Sequence, residues 1–132
     1  MKNSNSAKTV MLVEPEVLVR MVIAEYLRDC GYRVIEGVSA QDVWTVLESD
    51  HRVDVILAEV RLAGGADGFS LASRIRQTHP SIDVILSSGV AGASQGSHEL
   101  CQDGPIKKPY EPKDVEARIR ILLERRRTAS KA

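Results

Sequence analysis

Hydrophobic residues along this chain follow two alternating patterns. Short, nearly continuous apolar runs predict buried β-strands, whereas segments in which apolar residues recur every three or four positions predict amphipathic helices. The predicted strands are Val10–Val13, Arg33–Glu36, Val53–Glu59, Ile82–Ser87 and Pro105–Lys107. The predicted helices are one around Val19 to Leu27, then Gln41–Ser49, Phe69–Thr78, a weak one at Ala91–Cys101, and Asp114–Arg126.

Local signals support several of these boundaries. Gly31 follows the first helix, as expected just past a helix C-terminus, and Ser39 is a plausible N-cap of the second helix. The strand Arg33–Glu36 is short and half polar, which predicts a place near the edge of the sheet. The first helix is expected to turn a set of apolar side chains inward: Val19, Val22, Ile23, Tyr26 and Leu27.

Five strand–helix units in one chain predict an α/β fold, in which a parallel sheet is covered by helices on both faces. No internal repeat or linker divides the sequence. We therefore expect one domain over residues 9–126, with flexible tails at 1–8 and 127–132.

Composition adds mainly exclusions. The chain has 132 residues, 43% hydrophobic content and a formal net charge of zero, so no strong field points to nucleic acid or to a membrane surface. No apolar run is long enough to span a bilayer, and the polar start lacks the apolar segment of a signal peptide. Cys30 and Cys101 have no metal-ligand spacing, and each is expected to be a small buried residue in a reducing cytoplasm.

The ends of the strands carry the candidate chemistry. In open α/β sheets, ligands bind beyond the carboxyl ends of the strands, at the point where the strand order reverses. Four polar residues follow or end four of the five predicted strands: Glu14, Glu59, Ser87 and Lys108. A single acid or Lys-Pro pair there would usually be a solvated loop residue, but four such residues in order predict one shared pocket.

These residues also carry a resemblance to a known family. The segment Val10–Arg20 resembles the opening of a response-regulator receiver domain, where two acids follow the first strand. The segment Asp54–Gly68 resembles the phosphoacceptor strand and its loop. Val84–Gly89 resembles the fourth strand, with Ser87 at the signalling Ser/Thr position, and Lys107–Tyr110 resembles the closing Lys-Pro-aromatic motif, with Lys108 as its lysine.

The resemblance runs from about Thr9 to Arg125 and implies a CheY-like, flavodoxin-like fold with five strands in the order 2-1-3-4-5. It implies a role in bacterial two-component signal transduction, as a single-domain response regulator rather than an enzyme. In the family, a histidine kinase phosphorylates an aspartate with the help of Mg²⁺. The implied partners are a histidine kinase or a phosphotransfer protein, with a homodimer also possible and with neither nucleic acid nor membrane expected.

Three positions depart from the family pattern. Glu59 stands at the phosphoacceptor position in place of aspartate. Pro15 stands where the second opening acid, a direct metal ligand, is expected, so that the acidic pocket is reduced to Glu14 beside Pro15. Pro105 stands where the family usually carries an aromatic switch residue. No metal site is therefore expected; Glu14 and Glu59 are the remaining candidate ligands, for a weakly bound Mg²⁺ at most.

The favoured interpretation is an atypical receiver that acts mainly by protein–protein interaction, with conventional phosphorylation lost. Glu59 is then a built-in partial mimic of the phosphorylated state, paired with Lys108, or the product of simple degeneration; an introduced substitution alone would not explain Pro15. The alternative is a phosphorylatable receiver or phosphorelay shuttle that retains acyl-phosphate chemistry. A flavodoxin-like carrier or small enzyme is disfavoured, because no phosphate-cradling glycine-rich loop follows the first strand.

A partner surface is expected on the first helix. Leu18 and Met21 fall outside its inward stripe and would form a small apolar patch near the pocket, flanked by Arg20 and Glu25. Tyr110, in the closing motif, is a further candidate for partner contact. Isolated surface apolar residues are common in any protein, but these two are close together on one face, and in the resembled family this helix docks on the paired helices of the kinase.

Overall fold

The computed structural model describes residues 7–62, 67–88, 106–107 and 111–131 of the chain. The strands are β1 (Thr9–Val13), β2 (Arg33–Gly37), β3 (Val55–Glu59), β4 (Asp83–Ser88) and β5 (Ile106–Lys107). The helices are α1 (Val17–Asp29), α2 (Ala40–Leu47), α3 (Gly68–Thr78) and α4 (Pro112–Lys131). The strands form one parallel sheet in the order β2-β1-β3-β4-β5.

Helices cover the two faces of this sheet, which confirms the predicted fold class. Successive strand residues point to opposite faces, so β1 and β3 each supply side chains to two separate apolar clusters. One cluster contains Met11 and Ile56 and packs against α2 and α3. The other contains Leu12 and Leu57 and packs against α1 and α4. Because both faces are buried, the central strands are apolar along nearly their whole length.

The predicted local signals at α2 and β2 are confirmed. Ser39 caps α2 in a reciprocal arrangement with Asp42: its hydroxyl accepts from the Asp42 N–H at 3.3 Å, and the Asp42 carboxylate accepts from the Ser39 N–H at 3.3 Å. The half-polar strand β2 lies at the edge of the sheet. Gly31 follows α1 with a φ of 99°, a left-handed conformation that favours glycine.

Two predictions of burial are wrong. Val22 is 55% exposed, because the buried stripe of α1 runs through Ile23, Ala24 and Leu27 and leaves Val22 on the outer side. Cys30 is also exposed, because it ends α1 at the surface, where its backbone N–H bonds to the carbonyls of the last helical turn. Cys101 and the weak helix predicted at Ala91–Cys101 lie outside the described residues.

The last helix is longer than the sequence predicted. It begins at Pro112 and continues past Arg126 to Lys131, through most of the segment expected to be a tail. Local side-chain contacts support the added turn: the Thr128 hydroxyl donates to the Glu124 carbonyl at 2.9 Å, and Arg127 pairs with the Glu124 carboxylate at 2.7 Å. In the described part of the chain, no helix has the length and apolar character needed to cross a membrane.

Candidate functional site

The strand register brings three of the predicted site residues to one edge of the sheet. Glu59 pairs directly with Ser87 across β3 and β4. Val13 pairs with Ala58 across β1 and β3, so Glu14, the next residue along, follows β1 beside Glu59. Glu14 is 1% exposed and Ser87 is 2% exposed, while Glu59 is half-buried. Two acids and a hydroxyl-bearing residue therefore line the carboxyl edge, at the point where the strand order reverses between β1 and β3.

The carboxylate of Glu59 is bound to the backbone at the end of its own strand. Its Oε1 accepts from the Val60 N–H at 3.1 Å. The same N–H donates to the Ser87 carbonyl of β4 at 2.8 Å. One backbone donor is thus shared between the acidic side chain and the neighbouring strand, in a three-centre hydrogen bond.

The Glu14 carboxylate binds the backbone at the start of α1. Its Oε2 accepts from the Glu16 N–H at 3.0 Å, and Glu16 is the N-cap residue of the helix, with no side-chain cap of its own. The first N–H groups of a helix lack intrahelical partners and carry partial positive charge, so a carboxylate there is stabilising. Pro15, between the two acids, offers neither a side-chain oxygen nor a backbone N–H.

Among the residues that the structure describes, no group of three or more His, Cys, Asp or Glu side chains is placed to hold a metal ion. Mg²⁺ prefers oxygen ligands in near-ideal octahedral geometry. Pro15 supplies no side-chain oxygen, and one oxygen of Glu14 accepts from the start of α1. The described donor set therefore fits Mg²⁺ poorly.

The start of α3 lies in close backbone contact with the end of β3 at Gly68. The Gly68 N–H donates to the Val60 carbonyl at 2.7 Å, and Arg61 and Asp67 form an isolated antiparallel bridge. A Cβ atom at position 68 would lie 2.6 Å from the Glu59 carbonyl oxygen. Position 68 therefore requires glycine, because the backbone of α3 passes directly against the end of β3.

The outer side of α1 near this edge is apolar. Leu18 is 76% exposed and Met21 is also exposed, as the sequence predicted. Val17 and Val22 are exposed beside them, although the helical spacing predicts an inward place for Val22. We call the four residues Val17, Leu18, Met21 and Val22 the α1 surface.

Arg20 was expected to flank this patch, but its side chain turns toward the sheet and is only 17% exposed. Its Nη1 donates to the Glu14 backbone carbonyl at 2.7 Å, and its Nε lies 3.4 Å from a carboxylate oxygen of Glu36 on β2. No sequence pattern indicated this contact, since Arg20 reads as one more charged residue on a helix surface. Lys108, Pro105 and Tyr110 lie outside the described residues, and their predicted roles stay predictions.

Comparison with known proteins gives matches over most of the chain. The sequence model of the response regulator receiver domain matches residues 10–120. The phosphate regulon transcriptional regulatory protein PhoB of Pseudomonas aeruginosa is 29% identical over 122 residues, covering 89% of this chain and 52% of that protein. The sensor kinase CckA of Brucella abortus is 31% identical over 125 residues, covering 92% of this chain but 13% of the kinase.

Solved structures show the same fold. A CheY-like receiver domain protein from Methanospirillum hungatei JF-1 superposes with a TM-score of 0.84 at 21% identity, covering 94% of this chain and 99% of that one. A receiver protein from Sinorhizobium medicae WSM419 gives a TM-score of 0.80 at 22% identity, covering 92% and 98%. The chain spans about half the length of PhoB and of several other curated relatives, as the 52% coverage of PhoB illustrates.

Proposed function

Because this chain belongs to the family of response regulator receiver domains, we propose that it is an atypical receiver that acts mainly through protein–protein contacts, without conventional Mg²⁺-dependent phosphorylation. Membership of the family places the chain in two-component signal transduction. Its proposed partner is a histidine kinase or a phosphotransfer protein, and its proposed location is the cytoplasm.

The position of Glu59 carries this proposal. In the family, the residue at the end of the third strand is the aspartate that accepts the phosphoryl group. Here Glu59 ends β3, and one of its oxygens accepts from the adjacent Val60 N–H. Its carboxylate is one methylene farther along the side chain than that of aspartate and is held against the strand end. Phosphoryl transfer depends on in-line positioning and charge stabilisation. With this geometry, we expect Glu59 to accept a phosphoryl group inefficiently.

The residues around Pro15 support the same conclusion. A receiver that is phosphorylated in the usual way uses an acid of the opening pair as a direct Mg²⁺ ligand, and this acid is replaced by proline. The remaining opening acid, Glu14, is buried and bound to the Glu16 N–H. With less charge stabilisation from a metal, the barrier to phosphoryl transfer is expected to rise.

The α1 surface is the proposed contact with the partner. Its four apolar side chains lie together on the outer side of one helix, next to the carboxyl edge of the sheet. Apolar side chains grouped on a surface mark interaction sites more often than scattered ones do. In the receiver family, this helix docks on the paired helices of a histidine kinase, and helical partners of this kind are bound through apolar anchors.

Phosphorylation assays test the proposal directly. Incubation with acetyl phosphate or with a kinase encoded nearby, followed by intact mass measurement, should leave the mass of the parent chain unchanged. Glu59→Asp alone should restore little labelling, because the metal ligand is still missing at Pro15. The double change Pro15→Asp with Glu59→Asp should restore labelling. Robust labelling of the parent on Glu59 would instead support a phosphorelay shuttle that retains acyl-phosphate chemistry.

A further inference from the structure

Two contacts join the first turn of α1 to a single residue of the pocket, Glu14. From these contacts we infer that Arg20, acting through the backbone of Glu14, is a positioning residue that fixes the α1 surface relative to the carboxyl edge of the sheet. This inference rests on the proposed function, in which the α1 surface contacts the partner. In this chain an acid that the family uses near its metal would then serve to orient the docking helix.

The first contact is the hydrogen bond from Arg20 to the Glu14 carbonyl. At 2.7 Å it is short for an N–H···O bond, as expected when the donor is charged. The Arg20 side chain is largely removed from solvent, with 17% of its surface exposed. A buried charged donor that loses its acceptor is costly, so the side chain is held firmly in this place.

The second contact also has Glu14 as the acceptor, now through its side chain. The Glu14 carboxylate accepts from the Glu16 N–H, while the Glu16 carbonyl accepts from the Arg20 N–H at 2.9 Å in the first turn of the helix. Hydrogen bonds therefore link Glu14 to Glu16, Glu16 to Arg20 and Arg20 back to Glu14. A rotation of α1 about its axis, or a shift along it, would break one of these bonds.

A third contact ties the same guanidinium to the edge strand. Arg20 Nε lies 3.4 Å from the Glu36 carboxylate on β2. The planar guanidinium presents donors in a fixed fork, so Arg20 spans the end of β1 and β2 at once. The α1 surface includes Val17, Leu18 and Met21, which lie within three residues of Arg20, so a shift of the helix backbone at Arg20 would also shift these side chains.

Arg28 offers a matched control on the same helix. It pairs with the other oxygen of the same Glu36 carboxylate at 3.1 Å and donates to the Val34 carbonyl at 3.1 Å. It lies in the last turn of α1 and is 49% exposed. Arg28→Gln therefore removes a comparable ion pair between α1 and β2 without touching Glu14.

The test compares Arg20→Gln, Arg20→Lys, Arg28→Gln and Leu18→Ala with the parent. The probe is the isolated dimeric histidine-bearing domain of a kinase encoded beside this chain, with affinity measured by calorimetry. Amide chemical shifts and hydrogen exchange at Glu16 to Met21 give a readout that needs no partner. We expect Arg20→Gln to weaken binding by about five- to tenfold, which is on the order of 1 kcal/mol, and to shift the α1 amides; Arg28→Gln should stay within about twofold on the same scale.

Each outcome bears on the inference separately from the proposed function. If Leu18→Ala weakens binding but Arg20→Gln binds like the parent, the inference is overturned and the proposed contact stands. If Arg20→Lys restores full affinity, charge alone suffices and the two-point attachment is refuted. If neither the parent nor any variant binds the kinase domain, the proposed contact fails, and the amide readout alone tests the inference. Shifts at Glu16 to Met21 in Arg20→Gln that are absent in Arg28→Gln support the inference, and unshifted amides overturn it.

Discussion

The two edges of the sheet place carboxylates in contrasting roles. At the amino edge, acids join elements that are distant in the sequence. Asp83, at the start of β4, accepts from two nitrogens of Arg126 on α4 at 3.0 and 2.8 Å. Asp54, just before β3, accepts from the Thr9 N–H of β1 at 2.8 Å. The hydrogen bond with Asp83 also raises the pKa of the Arg126 guanidinium.

At the carboxyl edge, two acids accept from nearby backbone instead. Glu14 accepts from the N–H two residues ahead, and Glu59 from the N–H of the next residue. The acids of the amino edge therefore connect distant elements of the domain. The acids of the carboxyl edge instead bind nearby backbone groups, next to the surface proposed for partners. The same residue type serves stability at one end of the strands and, in our proposal, signalling at the other.

The largest expected effect comes from filling the space at Gly68. In Gly68→Ala, the new Cβ would lie 2.6 Å from the Glu59 carbonyl and 2.9 Å from the Val60 Cα, and both atoms are backbone. We expect a loss of about 2–3 kcal/mol in the free energy of unfolding, measured by urea denaturation.

Ser70→Ala is the control for this change, because Ser70 is exposed in the same turn of α3. It should alter the free energy of unfolding by less than about 0.5 kcal/mol. A Gly68→Ala protein as stable as the parent would show that the start of α3 is not pressed against the end of β3.

The next effect breaks the amino edge. Asp83→Ala removes the carboxylate that binds Arg126 through two hydrogen bonds. Both side chains are partly exposed, at 23% for Asp83 and 40% for Arg126, so the energy is screened by solvent. We expect a loss of about 1–2 kcal/mol in the free energy of unfolding. Lys113→Ala, which removes an exposed pair with Glu111, is the control and should leave the free energy of unfolding nearly unchanged. Equal losses of stability in the two variants would contradict a special role for the amino edge in stability.

A smaller effect separates the two accounts of Glu59. In Glu59→Gln the new amide oxygen still accepts from the Val60 N–H, so the local geometry is kept while the charge is lost. If Glu59 mimics the phosphorylated state, partner affinity should fall several-fold, on the order of 1 kcal/mol. If the site is merely degenerate, affinity should be unchanged. Equal kinase affinity for the parent, Glu59→Gln and Lys108→Ala would rule out the mimic.

The smallest expected effect is that of Mg²⁺ on the parent chain. With Pro15 in place of an acid, we expect weak binding, so that millimolar Mg²⁺ shifts the amide resonances near Glu14 and Glu59 very little. Pro15→Asp should increase the response, because it supplies a carboxylate oxygen of the type that Mg²⁺ prefers. Sub-millimolar affinity of the parent, centred on those residues, would contradict the prediction.

The sequence was most informative where local patterns determine structure. The period of apolar residues predicted the strands and the helices that cover them, and Ser39 was found from its place before a helix. Glu59 and Ser87 were placed together because parallel strands end at a common edge.

Contacts between distant residues were not predictable in this way. The inward turn of Arg20 depends on an acceptor on β1 and another on β2, and neither leaves a periodic signal in the sequence. Val22 lies one residue, or about 100° around the helix axis, from the buried Ile23, so apolar spacing alone does not separate it from the inward stripe. The extra turn of α4 carries side-chain pairs such as Arg127 with Glu124, in a segment with few apolar residues to indicate a helix.

The N–H of Val60 ties the chemical state of one side chain to the spacing of two strands. Its hydrogen lies between Glu59 Oε1 and the Ser87 carbonyl. Because the two acceptors share one donor, each hydrogen bond is weaker than it would be alone. If a cationic group of a partner bound the Glu59 carboxylate and moved it away, the Val60 N–H would donate to the Ser87 carbonyl alone. The hydrogen bond between β3 and β4 at this point would then become stronger. The Val60 amide proton is thus a natural spectroscopic reporter, because its resonance should move whenever Glu59 changes its charge, its partner or its covalent state.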